Sequence, residues 1–128
     1  MRMLECEMFP IAVILVTDEA EYYKLTKKAK THDGYPGTGA ACTISYSGGD
    51  QGVVALVVVG DYSESLPEEI NSLLTHEAVH IKQFLFEEIG EDTIGAETEA
   101  YAIQYFSNYL ISEFWYRENK KDKVHEQS

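Results

Sequence analysis

Residues 76–80 of the chain read His-Glu-Ala-Val-His, two histidines separated by three residues, the first of which is a glutamate. Four residues advance a helix by little more than one turn, so both imidazoles would lie on one face and could bind the same metal ion. Glu77 lies about 100° around the helix from His76, where its carboxylate could reach a metal-bound water without being a ligand. Two neutral nitrogen ligands, an open position and a nearby base are what metal-assisted hydrolysis requires.

The apolar residues around this motif indicate that it faces the interior. On a helical projection they form one stripe, made of Ile70, Leu73, Leu74, Ile81, Phe84 and Leu85. Glu77 falls in the middle of the stripe, with His80 beside it and His76 at its edge. Polar groups on a core-facing stripe are destabilising unless they have partners. A bound metal, or a cleft over the stripe, resolves this conflict better than the alternative of a solvated helix face that carries two histidines by chance.

The third metal ligand is expected to be a carboxylate, because the only histidine after His80 is His125 in the polar C-terminal stretch. Glu97 and Glu99 are the candidates, at the start of a further predicted helix. They lie about 200° apart around that helix, so they cannot both face the metal. Helical projection alone favours Glu99, which is nearer to the apolar face of its helix.

An HExxH helix followed by a glutamate at the start of the next helix resembles the gluzincin metallopeptidases, of which thermolysin is a familiar member. In that family apolar residues stand five, six and nine positions after the ligand glutamate. Counted from Glu97 these positions are Ala102, Ile103 and Phe106, whereas counting from Glu99 gives a poor match. The resemblance therefore implies that Glu97 is the third ligand, with Glu99 as the alternate. The aspartate that supports a histidine in the family is Tyr101 here, so this chain has a different supporting residue or none.

A closer resemblance is to a family of small phage and prophage proteins described as metallopeptidases. It depends on the segment Leu73–His80 and on the block from Glu97 to Gln104, and it extends over roughly residues 10–112. This resemblance implies a zinc-peptidase fold, encoded by a phage and working in the host cytoplasm.

The elements that must position the motif can be predicted from the pattern of apolar and turn-forming residues. A buried strand, a helix, two strands of a hairpin and two long helices are expected in that order. They span Ile11–Val16, Glu19–Lys30, Ala41–Ser47, Val53–Val59, Ser65 to about Glu88, and about Gly95 to Tyr116. This order predicts a minimal zincin-like α+β fold, in which a small, mostly antiparallel sheet packs on the active-site helix and on the following ligand-bearing helix. Residues 1–117 would form that single domain, and residues 118–128 a polar, disordered tail.

Charge and composition restrict the class of partner. The 128 residues include 22 acidic and 10 basic ones, giving a formal net charge of −12. Phosphate backbones and anionic membranes would repel such a chain, whereas a bound cation suits it. Cys6 and Cys42 are expected to be reduced thiols, and the apolar run 8–16 follows Glu5 and Glu7 instead of the basic residues of a signal peptide. We therefore expect a cytoplasmic protein that binds neither nucleic acid nor membranes.

Together these features predict a zinc-dependent metallopeptidase with one zinc ion per chain, bound by His76, His80 and Glu97. Glu77 would act as general base on the attacking water, and an extended peptide substrate would pair with the exposed edge of the hairpin. The short chain is the main objection, because thermolysin-like enzymes wall the cleft with a second helical domain. The alternative is a catalytically silent zinc-binding phage protein that acts as an interaction module on a host partner. Glu77 favours the enzyme, since a purely structural metal site needs no base there.

Overall fold

The computed structural model describes residues 3–5, 9–28, 41–47, 53–90 and 95–127. In chain order its elements are β1 (Met3–Glu5), β2 (Ile11–Val16), α1 (Glu19–Lys28), β3 (Ala41–Ser47), β4 (Val53–Val59), α2 (Pro67–Glu88) and α3 (Ala96–Gln127). The predicted α+β class and the predicted order of elements are confirmed. Strand β1 was not predicted, because three residues are too few to show an alternating pattern. Cys6 lies outside the described residues, as does the side chain of Cys42.

The four strands form one sheet in the order β1-β2-β4-β3. Strands β3 and β4 pair antiparallel, as predicted, and β1 pairs antiparallel with β2. The central pair, β2 and β4, is parallel, with Ile11 opposite Val53 and Val16 opposite Val58. The sheet is therefore mostly antiparallel, as expected, but its two most buried strands run in the same direction.

Both faces of the central strands are covered, which explains why their sequences are almost continuously apolar. One face, with Val13, Leu15 and Val57, packs in the same buried cluster as α2 and α3. The other face, with Ile14 and Val58, packs in a second cluster with α1. Helix α2, which carries the HExxH motif, is thus seated directly on the sheet.

The ends of α2 are set by local hydrogen bonds and by one glycine. The helix is capped at Leu66, where the Glu69 carboxylate accepts the Leu66 amide N–H at 3.0 Å. A glutamate at the third helical position can bind the backbone of the cap residue whatever the side chain of that residue is. Pro67 occupies the first helical position, and Gly90 ends the helix with a φ of 75°, a conformation that favours glycine.

Helix α3 continues to Gln127, so the prediction that it ends at about Tyr116 is wrong. The polar stretch expected to form a disordered tail is helical through the same residue. The physical reason is a set of hydrogen bonds to the first turn of this stretch. Tyr62 donates a hydrogen bond to Glu118 at 2.6 Å. Lys121 donates one to the Tyr62 hydroxyl at 3.1 Å and one to Glu118 at 3.2 Å. Among the described residues, no helix has the length and apolar character needed to cross a membrane.

Candidate metal centre

The HExxH residues form a compact cluster on α2. One ligand atom from each of His76, Glu77 and His80 lies within 4.8 Å of the others, so the group could hold a metal ion. His76 is exposed, His80 is half-buried and Glu77 is only 3% exposed. Solvent exposure thus decreases from His76 through His80 to Glu77, which is the order predicted from the apolar stripe. The cluster therefore lies where the core of the protein meets solvent.

Glu77 lies on the core side of the cluster, against the sheet. Leu74, Ala78 and Ile81 around it on α2 are all fully buried. The Thr43 hydroxyl, from strand β3, donates a hydrogen bond to Glu77 Oε2 at 3.3 Å. A carboxylate buried next to a neutral donor is costly to desolvate, and a cation bound by the adjacent imidazoles would compensate for that cost.

Three neighbours on α2 restrain the imidazole of His80. Its Nδ1 lies 2.9 Å from Gln83 Oε1. The ring is stacked on Phe84, with centroids 6.5 Å apart and an angle of 26° between the planes. It is also edge-on to His76, with centroids 4.9 Å apart and an angle of 77°. The ring therefore has a polar partner at one nitrogen and two aromatic neighbours on the same helix.

The structure does not bring the two candidate glutamates of α3 into this cluster. Glu97 is exposed, and Glu99 forms an ion pair with Lys82 at 3.3 Å. Lys82 is two residues after His80, which places it about 200° around α2 from that histidine. Glu99 therefore contacts a residue on the flank of α2 that faces away from His80. The role of either glutamate as a metal ligand stays a prediction.

A second contact indicates the same packing of α3 against α2. Trp115 Nε1 donates a hydrogen bond to Asn71 at 2.7 Å, and Asn71 lies about half a turn around α2 from His80. Both ends of the α2–α3 contact thus involve the flank without histidines, and β3 approaches the helix at Glu77. Access to the histidines is from the remaining, exposed side of α2.

Two tyrosines of α3, Tyr101 and Tyr105, lie at a cavity away from the histidine cluster. Tyr101 is exposed and lines a separate cavity of about 320 Å³. The other described residues of its lining are Phe9, Gln104, Tyr105 and Asn108. None of these belongs to the histidine cluster, so the cavity is not part of the candidate metal centre.

Sequence reasoning missed two residues that contact the motif. Gln83 stands three residues after His80, and this spacing on one helix is a signal that could have identified it. Thr43 is far away along the chain from Glu77, and no local pattern could have paired them. It also missed Glu113, a second buried carboxylate, which accepts a hydrogen bond from Arg117 at 3.1 Å one turn along α3.

Comparison of the chain with known protein families, with curated proteins and with solved structures finds no match. The resemblance to the gluzincins and to the phage proteins therefore stays a prediction. Functional inference depends on the geometry of the cluster itself.

Proposed function

We propose that this protein is a zinc-dependent metallopeptidase whose metal is bound by His76 and His80 and whose general base is Glu77. The observation that carries the proposal is the cluster itself: two imidazoles and a buried carboxylate with ligand atoms within 4.8 Å. A solvated helix face would leave all three side chains in water. Here the carboxylate is withdrawn into the core while the imidazoles remain accessible.

The donor set fits zinc. Imidazole nitrogen and carboxylate oxygen are ordinary zinc ligands, and catalytic zinc sites use three protein ligands with one position open. Zinc, when bound, polarises a carbonyl and lowers the pKa of a coordinated water to about 7. The same ligands would also accept cobalt or nickel in vitro.

Glu77 would take the proton of the attacking water and return it to the leaving amine. Thr43 would orient the carboxylate by holding Oε2, which leaves Oε1 for the proton. Burial would keep bulk water away from this carboxylate. Both features support a base of fixed orientation rather than a freely rotating surface glutamate.

The position of β3 supports the proposed substrate class. This strand is at the edge of the sheet and carries Thr43 next to Glu77. An extended peptide could add to that edge through backbone hydrogen bonds, which would bring its own carbonyl groups near the cluster. We therefore propose a peptide or protein substrate.

Glu97 is the proposed third ligand, with Glu99 as the alternate. Glu99 is already paired with Lys82, so it would have to break an ion pair to bind the metal, whereas Glu97 is exposed and has no such requirement. Either ligand would need the first turn of α3 to approach the histidine side of α2.

Zinc content tests the proposal directly. Zinc per chain would be measured by mass spectrometry after identical dialysis of wild type, His80→Ala, Glu97→Ala and Glu99→Ala. We expect one zinc per wild-type chain, loss in His80→Ala, and loss in Glu97→Ala but not in Glu99→Ala. Loss in Glu99→Ala instead would move the ligand and keep the site. A wild-type chain that stays free of zinc after adding the metal back would refute the proposal.

One observation favours a second candidate, a zinc-binding interaction module without catalysis. Neither α3 glutamate joins the cluster, so the third protein ligand that a catalytic zinc site uses is not in place, and a partner protein could supply the remaining ligands. This candidate would bind zinc and release no peptide product, and Glu77→Gln would change neither property.

A further inference from the structure

A histidine that binds a metal must present a lone pair on one ring nitrogen. A neutral imidazole has one such nitrogen and one N–H, so the hydrogen-bond partner of the second nitrogen decides which one is available. Metal-binding histidines almost always donate this second N–H to an acceptor. The hydrogen-bond acceptor for His80 therefore determines which of its ring nitrogens can bind a metal.

Gln83 supplies that acceptor here. Its side-chain Oε1 lies 2.9 Å from His80 Nδ1, and a carboxamide oxygen can only accept a hydrogen bond. With the carboxamide oxygen facing the ring, this contact favours the neutral form of His80 that carries its hydrogen on Nδ1 and its lone pair on Nε2. Phe84 and His76 are the aromatic neighbours of the same ring.

The contact comes from α2 alone. Gln83 is three residues after His80, a spacing at which side chains on one helix meet. It involves no residue of α3, so His80 has a polar partner on its own helix.

We propose that Gln83 is a positioning residue, which selects the Nδ1–H tautomer of His80 and presents Nε2 to the metal. Its purpose rests on the proposed zinc function, but the tautomer is a property of the metal-free protein. An acceptor without charge suits this place, because Glu77 already provides a buried carboxylate beside the imidazoles.

Nitrogen NMR of the imidazoles tests the proposal on the full, metal-free chain. Long-range proton–nitrogen correlations distinguish the two tautomers and would be recorded at about pH 8.5, where histidines are neutral. We expect the Nδ1–H form of His80 in wild type and a shift towards the Nε2–H form in Gln83→Leu. Gln83→Glu keeps an acceptor at the same reach and should retain the wild-type tautomer. Gln104→Leu, a change of the same kind at an exposed glutamine of α3, is the matched control.

Zinc titration of the same variants measures the consequence. Loss of a supporting partner weakens metal binding about 10- to 100-fold, so we expect that loss in Gln83→Leu and no change in Gln104→Leu. His80 in the Nε2–H form in wild type, or an unchanged tautomer in Gln83→Leu, would overturn the positioning role. Failure of wild type to bind zinc while the tautomer follows Gln83 would refute the proposed function and leave the selection of the tautomer standing.

Discussion

Glu77 is the residue at which stability and function are in conflict. Its neighbours on α2 are core residues, and a leucine at this position would extend their apolar surface. The carboxylate instead requires a hydrogen bond from Thr43 across two elements. A carboxylate that is costly to bury and that lies within 4.8 Å of a nitrogen on each of two imidazoles is typical of a functional site.

Glu77→Gln separates chemistry from binding. The carboxamide has nearly the same shape and can still accept from Thr43, but it cannot take a proton from water. We expect zinc content to stay at the wild-type level and peptide hydrolysis to fall at least about 100-fold, as for loss of a general base. Zinc content and product release from a peptide library would be measured on the same preparations.

The thermal midpoint provides the structural control for this variant. An amide is less costly to bury than a carboxylate, so Glu77→Gln should unfold at the same temperature as wild type or above it. Zinc-dependent hydrolysis that survives in Glu77→Gln would contradict the role of base.

At the scale of elements, two basic residues, Arg117 and Lys82, form ion pairs that involve α3, and these pairs differ in burial. Arg117 contacts Glu113 on α3 at 3.1 Å and Glu21 on α1 at 3.3 Å. Glu113 is 2% exposed, whereas the Glu99 side chain in the pair with Lys82 is 47% exposed. Solvent screens the Lys82–Glu99 pair more than the Arg117–Glu113 pair. The two pairs are therefore expected to contribute differently to the free energy of unfolding, although their N···O distances are similar.

Arg117→Ala and Lys82→Ala form a matched comparison of the two pairs. Arg117→Ala removes the guanidinium from a buried carboxylate and should lower the free energy of unfolding by about 3–5 kcal/mol. Lys82→Ala removes a partly exposed pair and should cost at most about 1 kcal/mol. Urea denaturation of both variants measures the difference, and equal losses would show that burial does not distinguish the pairs.

At the scale of the whole molecule, the far part of α3 is attached to the segment between β4 and α2 by one polar cluster. Tyr62 packs edge-on against Phe114, with ring centroids 4.8 Å apart, and its hydroxyl lies between Glu118 and Lys121. Burial, together with the hydrogen bond to Glu118, raises the pKa of Tyr62. The hydrogen bond to Tyr62 raises the pKa of Lys121.

Both shifts predict alkaline sensitivity. A group whose pKa is raised by folding stabilises the protein below its unfolded pKa, and that contribution is lost as pH rises through the folded pKa. Unfolded tyrosine and lysine titrate at about 10 and 10.4, so we expect the free energy of unfolding to fall above about pH 10. Urea denaturation from neutral to alkaline pH measures this slope.

Tyr62→Phe identifies the source of that slope. It should flatten the alkaline decline, whereas Tyr101→Phe, at an exposed tyrosine, should leave it as in wild type. An identical decline in Tyr62→Phe and wild type would place its origin elsewhere in the molecule.

Much of the candidate centre followed from local periodicity. The spacing of His76 and His80 puts both on one face of a helix, and the surrounding stripe puts Glu77 towards the core, because helical rotation per residue is constant. Runs of branched apolar residues likewise determined strands β2 and β4, whose positions are as predicted. These features depend only on residues near each other in the chain.

Contacts between distant segments were decided by the tertiary structure alone. Which flank of α2 is covered by α3 determines that Glu99 meets Lys82 instead of the histidines, and the place of β3 in the sheet determines that Thr43 meets Glu77. The extension of α3 past Tyr116 depends on Tyr62, which precedes α2 in the chain. Packing of whole elements sets these pairs, and the period of any single element carries no information about them.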